Sequence, residues 1–249
     1  MARTVGWPVM WLAALGVVFV ALGGAIGWYG LGKLLVVPRV LRAGVKEPST
    51  VPAGEGFVVC RGTAAAGAAG TVAAPFSRTD CLGFEYEVTE RQPFVGAWLP
   101  WYHARLDDGV ATRAFSLDGD HGSVAVDPES RRFSLDTEPT VSTVGGGETP
   151  PDRIRRFTEA RGIAPVSKWL AALPVFGRRR FVERRVDPGE SYLVAGHTEH
   201  RGGEPTFTDD LVITDRSPRG FALGRLRAAA LPLVVAAVFV GLGSWALLA

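Results

Sequence analysis

Two long runs without a charged side chain occupy the ends of the chain and form the strongest pattern in the sequence. The first covers residues 4–32 and the second covers residues 228–249. Both reach the roughly 20 apolar residues needed to cross the ~30 Å hydrocarbon core of a bilayer. Neither run has the polar face that a helix of a soluble domain carries. The pattern therefore predicts two transmembrane helices that bracket a middle region.

The first run has a second interpretation, because Arg3 before an apolar stretch also resembles the start of a cleaved signal peptide. The apolar core of a signal peptide is about 7–15 residues long, and this run is much longer. Trp7 and Trp28 lie near its two ends, where a membrane interface favours amphipathic rings. We therefore interpret the run as an uncleaved anchor. Glycines that favour close packing of the two helices are Gly23, Gly24, Gly27, Gly241 and Gly243.

Basic residues flank the two runs on the sides that face the middle region. They are Lys33, Arg39, Arg42 and Lys46 after the first run, and Arg216, Arg219, Arg225 and Arg227 before the second. The positive-inside rule then predicts a cytoplasmic middle region, with both termini outside the cell membrane. Five of these residues are candidate contacts to anionic membrane lipids, each worth about 1 kcal/mol near the surface. They are Arg39, Arg42, Arg219, Arg225 and Arg227. The alternative is that they set the topology only.

The middle of the chain changes to short apolar runs separated by Gly, Asp and Pro. Residues 81–91 alternate clearly, which places Leu82, Phe84, Tyr86 and Val88 on one face of a predicted strand. Further strands are predicted over residues 57–64, 71–77, 131–137, 178–186, 191–200 and 207–215, with a hairpin over 111–128. Other predicted elements are a loop over residues 138–151, a helix over 152–160 and a short apolar helix over 167–177.

These elements predict the fold class and the domain limits. Many short strands with only one or two short helices indicate a mainly β soluble domain, either a compact barrel or a sandwich. The predicted domains are a transmembrane helix over residues 4–32, a juxtamembrane helix or linker over 33–50, a β domain over 51–220 and a second transmembrane helix over 228–249.

Composition narrows the function classes. The formal net charge of +2 does not indicate a nucleic-acid-binding surface. The two cysteines, Cys60 and Cys81, are too few for a disulfide framework. They form either one bridge or two buried thiols, and thiols are favoured because free cysteine packs as a small hydrophobe.

Histidine and cysteine offer little catalytic or metal-binding chemistry. His197 and His200 are three residues apart, so they face opposite sides of a predicted strand, and no pair of thiolates accompanies them. A Cys81 nucleophile activated by His103 or His121 is a weaker interpretation than a thiol packed at the start of a strand. We therefore predict neither a metal site nor a catalytic cysteine.

Other familiar sites are missing from the sequence or have a simpler explanation. Asp118, Asp120 and Asp127 suggest calcium, but they lack the ligand order of an EF-hand, and Asp is an ordinary hairpin residue. The sequence contains no phosphate-binding glycine loop, hydrolase elbow or dinucleotide-binding fingerprint. No cofactor is predicted.

The densest basic run is a candidate patch for lipid headgroups or an acidic partner. Its arginines are Arg178, Arg179, Arg180, Arg184 and Arg185. A solvated strand with alternating charges is an equal alternative, because such strands commonly carry polar side chains on one face.

Three segments together resemble a known domain. They are GTAAAGAAGTVAAPFSRTDCLGFEYEVTER, RAFSLDGDHGSVAVDP and RRRFVERRVDPGESYLVAGHTE. Their order is similar to that of the GIDE-type "beside-a-membrane" domain, known from mitochondrial membrane-anchored RING ubiquitin ligases and from small prokaryotic, notably haloarchaeal, proteins. The most specific parts are the approach from Pro75 and Ser77 to Cys81-Leu82 and the turn at residues 187–190. The resemblance implies a membrane-tethered domain that binds a partner or substrate.

The ligase activity of that family is not carried over. A RING holds two zinc ions, each with four Cys or His ligands. The whole sequence contains two cysteines and four histidines, which is too few.

Three function classes follow. The leading hypothesis is a membrane-anchored, non-catalytic module that binds a protein partner or the membrane surface. One alternative is a membrane-associated enzyme, or a component related to the ubiquitin-ligase family, with an unrecognised activity. The other is a membrane-organising protein that forms homo-oligomers.

Overall fold

The computed structural model describes residues 7–52, 56–93, 101–128, 133–172 and 175–248. The chain divides into two compact units, which are residues 1–44 with 217–249, called here the helical unit, and Val45–Arg216, called the β unit. Parts of the sequence predictions lie outside the described residues, namely residues 4–6, 131–132, 173–174 and 249.

The helical unit contains two helices that are long and apolar enough to cross a membrane. The α-helices of the described chain are α1 (Trp7–Gly32), α2 (Val37–Ala43), α3 (Asp152–Ala160), α4 (Lys168–Ala171) and α5 (Pro218–Leu248). Helix α5 begins ten residues before the predicted span, because Ser217 and Pro218 form a good helix start. The Ser217 hydroxyl accepts a hydrogen bond from the Gly220 N–H at 3.1 Å.

Helices α1 and α5 pack against each other in antiparallel directions through small residues. A Cβ atom added at Gly16 would lie 2.8 Å from the Gly243 carbonyl oxygen, and one added at Gly23 would lie 2.9 Å from the Ala236 carbonyl oxygen. The rings of Phe19 and Phe239 meet edge to face, with centroids 5.5 Å apart. Glycine therefore permits this close approach of the two backbones.

The β unit is built from strands that range from two to twelve residues in the described part of the chain. They are β1 (Val45–Lys46), β2 (Gly56–Ala66), β3 (Val72–Ala73), β4 (Asp80–Cys81), β5 (Gly83–Pro93), β6 (Trp101–Thr112), β7 (Phe115–Gly119), β8 (Gly122–Val126), β9 (Phe133–Asp136), β10 (Thr140–Val144), β11 (Arg179–Val186), β12 (Ser191–Arg201) and β13 (Glu204–Thr214). Strands β2, β12, β13, β8 and β7 pair in that order, and β7 pairs back to β2. The mainly β fold with a compact barrel is therefore confirmed.

A second sheet, of order β10-β11-β5-β6, forms the other half of the β unit. The barrel has its own core, which includes Leu117, Val194 and Phe207. One face of the second sheet carries Tyr86 and Phe181, which pack with the α3 residue Ile154 in a separate core. Two cores in one unit arise because each sheet buries its own apolar face.

The local predictions with strong patterns are confirmed. Strand β5 buries alternate residues, the hairpin β7–β8 turns within residues 119–122, and helix α3 covers the predicted residues 152–160. Helix α3 begins at Asp152, directly after Pro150 and Pro151, because proline is tolerated at the start of a helix but not in its interior.

Two predictions were wrong, and a third, the short helix over residues 167–177, is helical only at Lys168–Ala171 within the described residues. The predicted loop over residues 138–151 contains strand β10, because the β-branched run Thr140–Val144 pairs along its whole length with β11. The predicted strand over residues 71–77 is a strand only at Val72–Ala73, and a turn follows in which the Ala74 N–H donates to the Thr79 carbonyl at 3.0 Å.

Candidate functional site

The structure brings the five candidate lipid-contact arginines to one end of the helical unit. Helix α2 packs against α5, and the side chains of Arg39 and Arg42 on α2 are exposed. On α5, Arg219 and Arg227 are exposed and Arg225 is half-buried. These five residues are called here the arginine collar, and they form a concentrated positive charge at that end.

The basic run of β11 does not form a single patch. Side chains alternate between the two faces of a strand, so the run is divided. Arg178 and Arg180 are exposed and Arg184 is half-buried. Arg179 and Arg185 belong to the other face and are engaged in ion pairs. A surface that uses all five arginines at once is therefore absent from the described β unit.

Arg179 and Glu90 form a buried ion pair between β11 and β5. The Arg179 Nε atom lies 2.8 Å from Glu90 Oε2, and the two side chains are 11% and 5% exposed. Arg179 also donates from Nη2 to the Ala164 carbonyl, while Glu90 accepts from Gln92 Nε2 at 2.9 Å. The pair fixes the segment that follows α3 onto the second sheet.

Arg185 lies at a second buried network, centred on Glu183. The Glu183 side chain is fully buried and its Oε2 accepts the Phe76 N–H at 2.7 Å and the Ser77 N–H at 3.2 Å. Arg185 bridges Glu183 and Asp187, at 3.4 Å and 3.3 Å. The network thus joins the 75–81 segment to the turn at 187–190, which are the two parts that carried the family resemblance.

A cleft opens beside α3, and we call it the α3 cleft. Its volume is about 460 Å³. It is lined by Val144, Gly145, Gly146, Glu148, Pro150, Ile154, Arg155, Thr158, Glu159, Ile163, Pro165, Val166, Arg179 and Phe181. The interior is mainly apolar, and Glu148, Arg155 and Glu159 place charges at exposed positions. This size and lining are typical of binding pockets for organic groups.

The inner wall of the α3 cleft is supported by packed aromatic rings. Phe181 meets Phe76 with ring centroids 5.4 Å apart, and Phe76 meets Phe157 of α3 at 4.9 Å. Tyr86 also meets Phe157 at 5.2 Å. Edge-to-face contacts of this kind hold ring orientations, so the cleft has a firm base.

One border of the α3 cleft is an open sheet edge. Strand β10 is the terminal strand of the second sheet within the described residues, and Val144 at its end lines the cleft. The side chains of Thr140, Val141 and Thr143 are exposed. An edge strand presents unpaired N–H and C=O groups along one side, which favours the addition of another strand.

The thiols do not offer catalysis. Cys60 and Cys81 are both free and buried, in different cores, which confirms two buried thiols rather than a bridge. Burial raises the pKa of each thiol to about 12, and Cys81 donates to the Val72 carbonyl at 3.2 Å. The thiolate is the nucleophilic form of cysteine, so both are unsuited to attack at neutral pH.

The histidines and aspartates are scattered over the β unit. His103, His121 and His200 are exposed, and the His197 ring meets Phe57 at 5.8 Å. Asp118 pairs with Ser123 near the end of β7, Asp120 belongs to the turn of the β7–β8 hairpin, and Asp127 pairs with Arg201 at 2.7 Å. Within the described ranges no group of three His, Cys, Asp or Glu residues could hold a metal ion.

Sequence reasoning missed the α3 cleft. Its walls come from β10, which was predicted as loop, and from Ile163, Pro165 and Val166, which had no predicted element. The available signals were the β-branched run of β10 and the apolar residues directly after α3. Comparison with known protein families, with curated proteins and with solved structures finds no match, so the function is argued from this geometry.

Proposed function

We propose that this chain is a membrane-anchored, non-catalytic module whose β unit binds an extended, apolar segment of a protein partner. The segment adds a strand to the open edge of β10 and places an apolar side chain in the α3 cleft. Main-chain hydrogen bonds along an edge strand provide affinity in this mode, and a neighbouring pocket provides specificity.

The observation that carries the proposal is the continuity of the β10 edge with the cleft. Val144 belongs to both, and Gly145 and Gly146 extend the strand directly into the cleft wall. An apolar pocket alone fits many ligands, but an apolar pocket at the end of an open strand fits an extended peptide. The buried thiols and the separated histidines leave the enzyme hypothesis without a recognisable reaction centre in the described residues.

Placing a charge in the α3 cleft is expected to abolish this binding. We predict that Val166→Asp reduces partner cross-linking by about tenfold, because burial of an unpaired carboxylate is costly. A photo-reactive amino acid at the exposed Thr143 reports contacts at the β10 edge in cells. Val45→Asp is the matched control, since Val45 is 46% exposed and belongs to the barrel sheet.

The outcomes of this experiment are distinct. Cross-linking that disappears in Val166→Asp and persists in Val45→Asp supports the proposal. Equal cross-linking in both variants contradicts it. Cross-links joining two copies of this chain would instead favour the homo-oligomerising alternative.

We also propose that α1 and α5 both cross the cell membrane and that the β unit is cytoplasmic. Their apolar surfaces are largely exposed, because only 11% and 17% of the most apolar 18-residue stretch of each helix is buried within the protein. The arginine collar lies at the end of the helical unit from which the chain continues into the β unit. Basic residues that flank a membrane span lie on the cytoplasmic side by the positive-inside rule, so the arginine collar supports a cytoplasmic β unit.

Thiol labelling in intact cells tests this orientation. We expect Thr149→Cys to resist a membrane-impermeant maleimide until the cells are lysed, whereas Leu248→Cys is labelled without lysis. Thr149 is exposed in the β unit and Leu248 is 89% exposed near the end of α5. The native thiols give little background because both are buried. The opposite labelling pattern would place the β unit outside.

We further propose kinship with the GIDE-type domain. The support is that the two most specific parts of the resemblance meet at Arg185, which donates to Thr79 Oγ1 at 3.1 Å and to Asp187 Oδ2 at 3.3 Å. An experimental structure of a GIDE-type domain provides the test. A buried acid–arginine link between the corresponding segments supports kinship, and a different strand order contradicts it.

A further inference from the structure

The outer face of the second sheet is a surface distinct from the α3 cleft. Tyr86 and Phe181 define the inner face, because both pack with Ile154 of α3. Successive side chains of a strand alternate between faces, and directly paired residues of neighbouring strands share a face. The outer face therefore carries the other alternate residues of β11, β5 and β6, and it lies on the opposite side of the sheet from α3.

Basic residues from three strands meet at one end of this outer face. Arg180 of β11 pairs with Thr89 of β5, and two residues further on Arg91 of β5 pairs with His103 of β6. The Arg91 N–H donates to the carbonyl of Arg178, directly before β11, at 2.9 Å. The outer half of the basic run therefore gains basic neighbours from β5 and β6. The residues called here the outer-face patch are Arg91, Trp101, His103, Arg178 and Arg180.

The positive charge of the outer-face patch is not balanced by acidic residues. Its three arginines form no ion pair within the described residues. The acidic side chains of the described outer face begin further along the strands, and they are Glu85, Glu87 and Asp108. Glu87 and Asp108 already pair with Arg105, at 3.4 Å and 3.7 Å. The patch is therefore complementary in charge to an anionic surface.

Trp101 adds an aromatic ring to the patch. Trp101 is 39% exposed, and the Arg91 guanidinium carbon lies 3.8 Å from the centroid of its ring. Stacking of a cation on an indole holds both groups in place at the surface. Tryptophan prefers the interface between lipid and water, where arginine forms charge-assisted hydrogen bonds to phosphate groups. This pair of side chains therefore suits a layer of lipid headgroups.

The chain beside the patch favours a bilayer over an acidic protein as the partner. Residues 94–100, which connect β5 to β6, lie outside the described residues and are not counted in the patch, but their sequence, FVGAWLP, has no charged side chain. The β unit also follows the helical unit without a linker, at residues 44–45 and 216–217. If the helices cross the membrane as proposed above, on which this inference rests, a lipid surface is held at high local concentration.

We propose that the outer-face patch docks the β unit on the anionic headgroups of the bilayer that α1 and α5 cross. Its arginines pair with the phosphate groups, and Trp101 lies among the headgroups. The α3 cleft belongs to the opposite face of the same sheet, so docking leaves the cleft open to a protein partner. Docking does not depend on whether the cleft binds that partner.

Quenching of a fluorescent label by lipid headgroups tests the docking. The full chain carries a fluorophore on Thr143→Cys, an exposed position that pairs with Arg180. It is reconstituted in nanodiscs of phosphatidylcholine that carries a nitroxide on its headgroup, with or without phosphatidylserine. We expect strong quenching only with phosphatidylserine and at low salt.

Substitutions in the patch are expected to release the β unit from the lipid. Arg178→Gln/Arg180→Gln should lower the ratio of quenched to unquenched label about tenfold or more, because each basic residue near an anionic surface contributes to binding. Trp101→Ser should lower the same ratio about threefold or more, since an interfacial ring is lost.

Matched variants separate this patch from general attraction to the membrane. Arg153→Gln/Arg156→Gln removes the same two charges from exposed positions on α3 and is expected to leave quenching unchanged. A label on the exposed Ala160→Cys of α3 is expected to stay bright. The arginine collar is unchanged in every variant, so these comparisons report the patch alone.

The outcomes distinguish the possible failures. Absence of quenching at Thr143→Cys in anionic discs would overturn the proposal and favour an acidic protein on the patch. Equal loss of quenching in the two double variants would overturn it in favour of general charge attraction. A chain that does not co-purify with the discs would overturn the proposed membrane crossing as well, whereas a retained chain without quenching overturns the docking alone.

Discussion

Replacing Arg179 with methionine is expected to destabilise the β unit by about 3–5 kcal/mol, because the substitution leaves a carboxylate buried without its partner. The Glu90 side chain is 5% exposed and pairs with Arg179 at 2.8 Å. The Ala164 carbonyl also loses its donor. Pulse proteolysis of the full chain in detergent micelles across a urea series measures the loss as a shift in the unfolding midpoint.

Two further variants show whether the unpaired charge is the cause. Glu90→Leu/Arg179→Met removes both charges and is expected to recover most of the stability, since buried pairs are often replaceable by apolar residues. Arg178→Met removes the same kind of side chain from an exposed neighbouring position, and an effect within about 0.5 kcal/mol is expected. A small effect of Arg179→Met, or no recovery in the double variant, would show that an unpaired buried carboxylate is not the cause of the destabilisation.

The stability result bears on the proposed binding site. Arg179 lines the α3 cleft and fixes Ala164, which lies between the cleft residues Ile163 and Pro165. If the Glu90→Leu/Arg179→Met variant folds but binds no partner, the arginine positions the cleft wall. Normal binding by that variant would mean that packing alone holds the wall.

Much of the fold follows from local sequence patterns. Strand β5 alternates Phe84, Tyr86 and Val88 with charged residues, and the opposite pattern, of continuous apolar residues, marks α1 and α5. Helix α3 begins directly after two prolines. Such patterns report which face of an element is buried, so they predict the element without knowledge of its neighbours.

The elements that sequence reasoning missed depend on their neighbours. Strand β6 has no clear alternation around Asp107 and Asp108, and it forms because β5 offers a long partner. Gly109 is required there, since an added Cβ would lie 2.6 Å from the Tyr86 ring. Strand β10 similarly depends on β11. Pairing across a sheet is a tertiary effect, and it overrides weak local preference.

The basic run of residues 178–185 likewise has one feature that the sequence shows and one that only the structure shows. Its period-two pattern is visible in the sequence, since Arg179, Phe181, Glu183 and Arg185 share one parity. What the sequence does not show is that this parity faces a core, where Glu183 accepts backbone N–H groups from residues 76 and 77. A buried carboxylate has no local signature, because its partners are more than a hundred residues away. The α3 cleft was missed for the same reason.

Substituting leucine for Gly243 is expected to separate α1 from α5. A Cβ atom at this position would lie 2.7 Å from the Gly16 carbonyl oxygen and 2.9 Å from the Val20 backbone nitrogen. Backbone atoms cannot rotate away as a side chain does, so the helices must move apart. Helices in lipid associate mainly through close packing at small residues, and this separation removes that packing.

Cross-linking of paired cysteines on α1 and α5 with a short, membrane-permeant bis-thiosulfonate reagent measures the separation. Phe19→Cys with Phe239→Cys introduces two thiols where the native rings are in contact, with centroids 5.5 Å apart. In this background Gly243→Leu is expected to reduce cross-linking about tenfold. Gly241→Leu is the matched control, because an added Cβ at Gly241 has nothing within 4 Å. Equal cross-linking in the two glycine variants would show that α1 and α5 do not associate through the Gly16–Gly243 contact, and the remaining contact at Gly23 would then have to hold them together.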